Sequence, residues 1–367
     1  MEQKSEFKNR LGMFDLLKAL AFLLIMLGHY RAKISSYYPG NAVAPLLEAL
    51  HIKIGVLMPL FFMMSGYYFK PTDMKKCVRK QADLLLKPYA IFAVIITVLV
   101  AAAGFASGGA DEAWALAREK ILAFIFCVTE NRSIFGLPAS YIGTIWFLPA
   151  LFNAWVVLNF IFKYQDERTR ACLVSASVII GLLLGRLEFV PFLLPQTFTA
   201  VGFLAAGYLL NKEQFFAQKY SAWTWVIIAA VGIGSFIYGG SSMYRNYWRL
   251  GLLDVAGSIF ESICILKLYF MVPVRENKLT GYLSHLGRGT LWLMGMHTIE
   301  QGLGWVRYVK AILRPVIKLP DNMFFDIALQ FVLSLLLLTI GLYAIEWYTR
   351  QKHIKKAQKR KASRAST

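Results

Sequence analysis

The sequence predicts an all-α, polytopic membrane bundle of about ten transmembrane helices with both termini in the cytoplasm. Three observations carry this. Of 367 residues, 57% are apolar and only 17% charged, an apolar share above that of an ordinary soluble domain. The apolar residues come in blocks of about 20, which is what a helix needs to cross a ~30 Å hydrocarbon layer. Once those blocks are drawn as spans, 24 Lys and Arg fall on the segments assigned to the inside and 12 on the outside, as the positive-inside rule requires.

Taken in order, the spans are 13–30, 54–69, 85–105, 143–162, 171–185, 196–210, 222–240, 251–271, 289–303 and 323–347. The first is read as a span and not as a cleaved signal peptide: Asp15 and Lys18 interrupt it, and no small-x-small cleavage site follows. The stretch AWALAREKILAFIFCV (113–128) carries Arg118, Glu119 and Lys120, too many charges to span comfortably, and is predicted to be an interfacial helix. Residues 1–349 form the membrane domain. The tail 350–367 has eight Lys/Arg and no acid, so it is expected to lie disordered against anionic lipid headgroups.

The net charge of +19 would suggest nucleic acid in a soluble protein; topology accounts for most of it here, and no nucleic-acid partner is expected. Cys77, Cys127, Cys172 and Cys264 have neither CxxC nor metal-ligand spacing, so buried thiols are expected and no metal. Rossmann, Walker and HExxH motifs are absent. No internal repeat of the transporter kind is visible.

The first span, FDLLKALAFLLIMLGHYR (14–31), holds three titratable side chains. At 100° per residue, Lys18 and His29 lie about 20° apart around the helix and roughly 16 Å apart along it. Asp15 is about 40° from that face on the other side and can pair with Lys18 at i, i+3. Buried ionisable groups cost about 2.5–3.5 kcal/mol on insertion scales, so such a stripe normally faces a bundle interior or a wet cavity. On the bland reading, Asp15 and Lys18 snorkel at the inner interface and His29 sits at the outer one. On the functional reading, a neutral imidazole takes a proton from a hydroxyl, and a cation one helix length away suits a long anionic ligand such as acyl-coenzyme A. That reading places imidazole and ammonium in one common hollow.

DLLKALAFLLIMLGH resembles the first-span signature of the membrane acyltransferase-3 family, a basic residue followed ten residues later by a histidine. VLMPLFFMMSGYYF (56–69), TIWFLPALF (144–152) and HLGRGTLWLMGMHTIE (285–300) are similar to three further patterns of that family, in the same order. The resemblance implies transfer of an acyl group, usually acetyl, from cytoplasmic acyl-CoA to a hydroxyl of a glycan or its lipid-linked precursor, in a bacterial inner membrane. It makes His29 the candidate base and Lys18 its cation partner; Asp15, which can pair with Lys18, completes the candidate catalytic set. Lys18 stands where the family mostly has Arg, which keeps the charge and loses the two-point grip. Acyl-CoA is the co-substrate; membrane lipid and a glycan acceptor are the partners.

Lys76, Arg79 and Lys80, just inside the second span, are expected from the resemblance to meet coenzyme phosphates, Arg79 first because its fork fits phosphate; a solvated inner loop would also explain them. Ser65, before Gly66, reads as a packing pair or as a nucleophile, with direct transfer preferred. Trp146 is a sugar platform or an interfacial belt residue. His297 orients the acceptor or bonds a neighbouring helix. Glu261 either pairs with a base of the first helices or binds an acceptor hydroxyl. His51 is read as capping or solvated, and His353 as solvated. The rival function is a transporter or exporter of a glycan or small anionic metabolite.

Overall fold

The computed structural model describes residues 13–35, 38, 55, 57–303, 305–313, 315, 320 and 322–365. Helix α1 spans Asp15–Ser35 and α2 Leu57–Tyr67. Next come α3 (Met74–Gln81), a π-turn Ala82–Leu86 and α4 (Lys87–Phe126). A two-stranded hairpin, Arg132–Ile134 with Leu137–Ala139, and a 3-10 turn Gly143–Trp146 lead into α5 (Phe147–Ile161). Helices α6 (Glu167–Leu184), α7 (Leu194–Lys212) and α8 (Ala222–Tyr238) follow. A second small hairpin pairs Ser241–Ser242 with Tyr247–Trp248. The chain closes with α9 (Leu252–Met271), α10 (Lys278–Arg288), α11 (Thr290–Leu303), α12 (Trp305–Leu313) and α13 (Met323–Ala365).

The all-α class holds, and every predicted span falls on a helix. Among the described residues, four helical stretches are long and apolar enough to cross a membrane: Met74–Phe126, Gly143–Ile161, Pro191–Lys212 and Met323–Lys352. Two shorter ones, α2 and α8, are apolar as well. At 11 residues α2 rises only about 16 Å, so it does not reach across a bilayer by itself.

One expectation is refined by the fold and one differs from it. The stretch 113–128 is helical as predicted, and it is the returning limb of a helical hairpin broken at Gly109 within α4. Gly109, at φ 77° and ψ −159°, takes a backbone conformation that strains residues with a Cβ, and the chain doubles back there. The Tyr89 hydroxyl then reaches across the limbs and donates to the Phe124 carbonyl at 2.7 Å, while Lys120 donates to the Tyr141 carbonyl at 3.0 Å. The basic tail is also helical, as α13 continues to Ala365. Its run of Lys, Arg, Gln and Ala contains neither Gly nor Pro, and these are strong helix formers. His51 lies outside the described residues, as does the side chain of His353.

The bundle has two packed groups. In one, α1 rests on α10, α11 and α13; in the other, α7 is surrounded by α2, α5 and α6, while α8 lies on α9. Helices α2 and α7 approach backbone to backbone: a Cβ on Gly66 would strike the Leu204 carbonyl, and one on Gly207 the Met63 carbonyl. Ser65–Gly66 is therefore a close-packing pair, with the Ser65 hydroxyl accepting from Trp155 Nε1 at 2.9 Å. The two groups are joined where α1 meets α2 and where the Gly143–Trp146 turn and α4 meet α11. Phe14, Phe22, Met26, Tyr30, Phe62 and Phe203 fill the fully buried core.

Candidate active site

Where the two groups meet, a cavity of about 480 Å³ opens. Helix α1 contributes Ile25 and His29, one turn apart; α2 contributes Met58. The 3-10 turn lends Thr144 and Trp146, the second hairpin Ser241 to Arg245, and α11 Met294 and Gln301. The turn is fixed to α11 because Thr144 Oγ1 donates to the Met294 carbonyl at 3.0 Å and lies 2.6 Å from Thr298 Oγ1. Trp146 is 4% exposed and meets Tyr244 edge-on at 5.9 Å, so it walls the cavity and is not a belt residue facing outward. Arg245 Nε bonds Glu130 Oε1 at 2.7 Å, and Glu130 also lies 3.8 Å from Arg132. Burial, reinforced by Tyr141 and Glu130, holds the Tyr244 phenol above its ordinary pKa, so it remains a neutral hydrogen-bonding group at physiological pH.

Behind His29 lies a buried polar array. The ring of His297 is 5.6 Å from that of His29, centroid to centroid, at 48°. His297 Nδ1 lies 3.2 Å from Glu300 Oε2 and 3.2 Å from the Tyr30 hydroxyl, and that hydroxyl donates to Glu300 Oε2 at 2.6 Å. The other carboxylate oxygen, Oε1, accepts from Gln330 and Ser334 of α13. One turn before Gln330, Asp326 receives Lys310 at 2.7 Å. The order of the array follows from helical spacing: His297 and Glu300 are i, i+3 on α11, and Asp326, Gln330 and Ser334 are i, i+4, i+8 on α13.

The remaining predicted residues lie apart from this cavity. Lys18 Nζ bonds Asp15 Oδ1 at 3.2 Å, and Arg288 of α10 approaches the same carboxylate at 4.0 Å. Lys18 is not among the residues lining the His29 cavity; it lies about 16 Å away along the same helix. Lys76, Arg79 and Lys80 are exposed on α3, whose buried face is Cys77 and Gln81 and whose first turn is capped by Asp73. Ser65 is turned toward Trp155. Glu261 is half-buried on α9, with its backbone against Gly232 of α8; its neighbours on the helix serve structure, Asp254 accepting from the Leu250 amide at 2.7 Å and Lys267 lying over Trp225 at 4.4 Å.

Sequence reasoning singled out His29, His297 and Trp146, which the fold brings together. It missed Tyr30, Glu300, Gln330, Ser334 and the cavity-lining hairpin. The i, i+3 and i, i+4 repeats of polar residues inside apolar spans were the available signal for the array; the hairpin, a short polar loop, carried none.

Residues 12–350 match a family described as an acyltransferase domain, acyltransferase-3. The chain belongs to the acyltransferase-3 family. Members of this family are acyltransferases moving groups other than amino-acyl groups, and the match runs over nearly the whole chain. With the apolar helices above, it marks an integral membrane protein. Neither the curated proteins nor the solved structures gave a match.

Proposed function

We propose that this protein is an O-acyltransferase of about ten spans in a bacterial inner membrane, moving an acetyl group from acetyl-CoA to a hydroxyl of a surface glycan or its lipid-linked precursor. The observation that carries the reading is the placement of His29 in a cavity walled by Trp146 and by hydroxyl, amide and guanidinium groups. Such a lining suits a sugar: an aromatic face for its C–H surface and polar groups for its hydroxyls. The volume lies within the usual range for a small-molecule site.

In the reaction, His29 takes the proton of the acceptor hydroxyl as its oxygen attacks the thioester carbonyl. The tetrahedral intermediate collapses, expelling the coenzyme A thiolate, which recovers that proton. Lys18, with Arg288 nearby, attracts the coenzyme phosphates from the inner side, and Arg79, Lys76 and Lys80 add to the positive field there. No intermediate on Ser65 is required. The transporter reading gains no support, because it calls for repeat symmetry and paired broken helices.

Purified protein, radiolabelled acetyl-CoA and a membrane glycolipid fraction test the reading. Label should enter the glycolipid, and His29→Ala should lower the rate by about 10²–10⁴-fold, the usual range for a general base. No transfer by the wild type, or equal transfer by the variant, would overturn it.

A further inference from the structure

Among the described residues, His297 Nε2 is buried and has no hydrogen-bond partner, in a residue 1% exposed. Buried polar atoms are nearly always paired, so an orphan of this kind asks for a reason. The geometry of the other ring nitrogen supplies one. The single Tyr30 proton is committed to Glu300 Oε2 at 2.6 Å, and Glu300 as a carboxylate has no proton to give. The hydrogen between His297 Nδ1 and these two oxygens therefore comes from the ring. In the neutral imidazole this leaves the lone pair on Nε2.

The carboxylate behind it is also fixed. Glu300 Oε1 is held by Gln330 and Ser334 and Oε2 by Tyr30, so Glu300 is oriented from α1 and α13 while it faces His297 on its own helix. Among the described residues, the titratable or charged groups around His297 are His29 and Tyr30 from α1 and Glu300 from α11, with the Lys310–Asp326 pair beyond Gln330; Phe22 closes the apolar side at 6.0 Å. An open lone pair on one nitrogen lets the ring accept a proton, and a carboxylate on the other stabilises the imidazolium that results.

We propose that His297 is a proton-relay residue behind His29, positioned by Glu300. The inference rests on the acyl-transfer reading and extends it. The acceptor hydroxyl proton moves to one ring nitrogen of His29, and the proton on the other His29 nitrogen moves to His297 Nε2. His29 is left neutral and His297 becomes an imidazolium against the Glu300 carboxylate. When the thioester C–S bond breaks, the proton returns through His29 to the departing thiolate, so charge and protons balance. The centroid separation of 5.6 Å is close enough for a small ring rotation or one water to link the two rings. His297 does not line the cavity, so it acts through His29 and does not touch substrate.

The test uses full-length protein with labelled acetyl-CoA and the membrane glycolipid fraction. His297→Asn should lower kcat at least tenfold with KM for acetyl-CoA unchanged. Glu300→Gln should move the acid limb of the pH–kcat profile to lower pH, because a neutral amide holds the imidazolium less well than a carboxylate. A merely structural role would lower yield or melting temperature and leave that limb in place. Should either variant not be recovered folded, wild-type protein in mixed H₂O/D₂O answers instead: the relay puts two protons in flight, giving a bowed dependence of kcat on deuterium fraction. A straight line, a His297→Asn kcat within twofold of wild type, or an unmoved acid limb overturns the relay. Absence of any transfer by wild type overturns the acyl-transfer reading, a distinct outcome.

Discussion

Ser65→Ala separates two chemistries that the sequence alone left open. The hydroxyl accepts from Trp155 Nε1 at 2.9 Å, and the Trp155 ring packs on Phe69 at 5.0 Å. Removing the oxygen costs one interhelical hydrogen bond, which inside membrane bundles averages ~0.6 kcal/mol and reaches ~1.7. At about 1 kcal/mol the melting temperature of a chain this size falls by on the order of 2 °C. Even if the whole amount were lost from the transition state, the rate would fall only about fivefold. Removing a catalytic nucleophile instead costs on the order of 10⁶ in kcat. The assay is acetyl transfer at saturating acetyl-CoA, alongside thermal unfolding of the detergent-purified protein. A loss above a thousandfold with an unchanged melting temperature, or a burst of coenzyme A release before acceptor is added, would refute direct transfer and put an acyl group on Ser65.

The contact between α2 and α7 leaves no room for a side chain at Gly207, so Gly207→Val should overpack by at least the ~1–3 kcal/mol typical of added core methylenes; the expected result is loss of the monodisperse peak on fluorescence-detected size exclusion, whereas Gly281→Ala, with open space for a Cβ on α10, should retain it. Asp166 caps α6 by accepting from the Thr169 amide at 2.7 Å and hydroxyl at 2.8 Å, and these bonds hold its carboxyl below the ordinary value. A depressed folded pKa means that its contribution is complete above about pH 4 and is lost as pH falls through the folded value. Between pH 5 and pH 3 the melting temperature of wild type should therefore fall more than that of Asp166→Asn, which keeps a capping oxygen without the titration.

How much was legible from sequence depended on how local each signal is. Helix positions followed from apolar runs, and the face shared by Lys18 and His29 followed from 3.6 residues per turn, because both depend only on neighbours along the chain. The turn at Gly109 was harder to read: a glycine in SGG breaks a helix or lets it pass, and only the packing of the two limbs, with Tyr89 bonded to Phe124, decides it. The tail was read as disordered from charge alone, although its Lys, Arg and Ala content favours helix on propensity. The Glu300 array depends on which span lies beside which. His297 and Glu300 are separated from Tyr30 by most of the chain, and no single-span pattern fixes that α1, α11 and α13 share a seam. The same limit applies to the surroundings of the two ends of α1. A stripe along α1 shows that Lys18 and His29 point the same way, but α10 covers one end, where Gly287 lies against the Asp15 backbone, while α2 and the second hairpin enclose the other.

That division along α1 also bears on the donor. Lys18 and His29 are separated by about 16 Å of helix rise, so an anionic headgroup held at Lys18 must extend along the helix for its reacting carbon to arrive at His29, as the pantetheine arm of a coenzyme A thioester does. On the proposed reading the acyl group shares a cavity of about 480 Å³ with the acceptor sugar. A sugar ring takes up much of that space, and Trp146, Tyr141 and Tyr244 are among the bulky side chains that wall it, leaving room for a short acyl group and little for a long one. Acetyl-CoA should therefore exceed palmitoyl-CoA as donor by at least tenfold in kcat/KM, measured with the same glycolipid acceptor. Replacing Met58, at the α2 wall of the cavity, by Ala should narrow that gap by admitting longer chains. Equal use of both donors by the wild type would mean that the acyl chain leaves the cavity toward lipid, and would place the thioester on another side of His29.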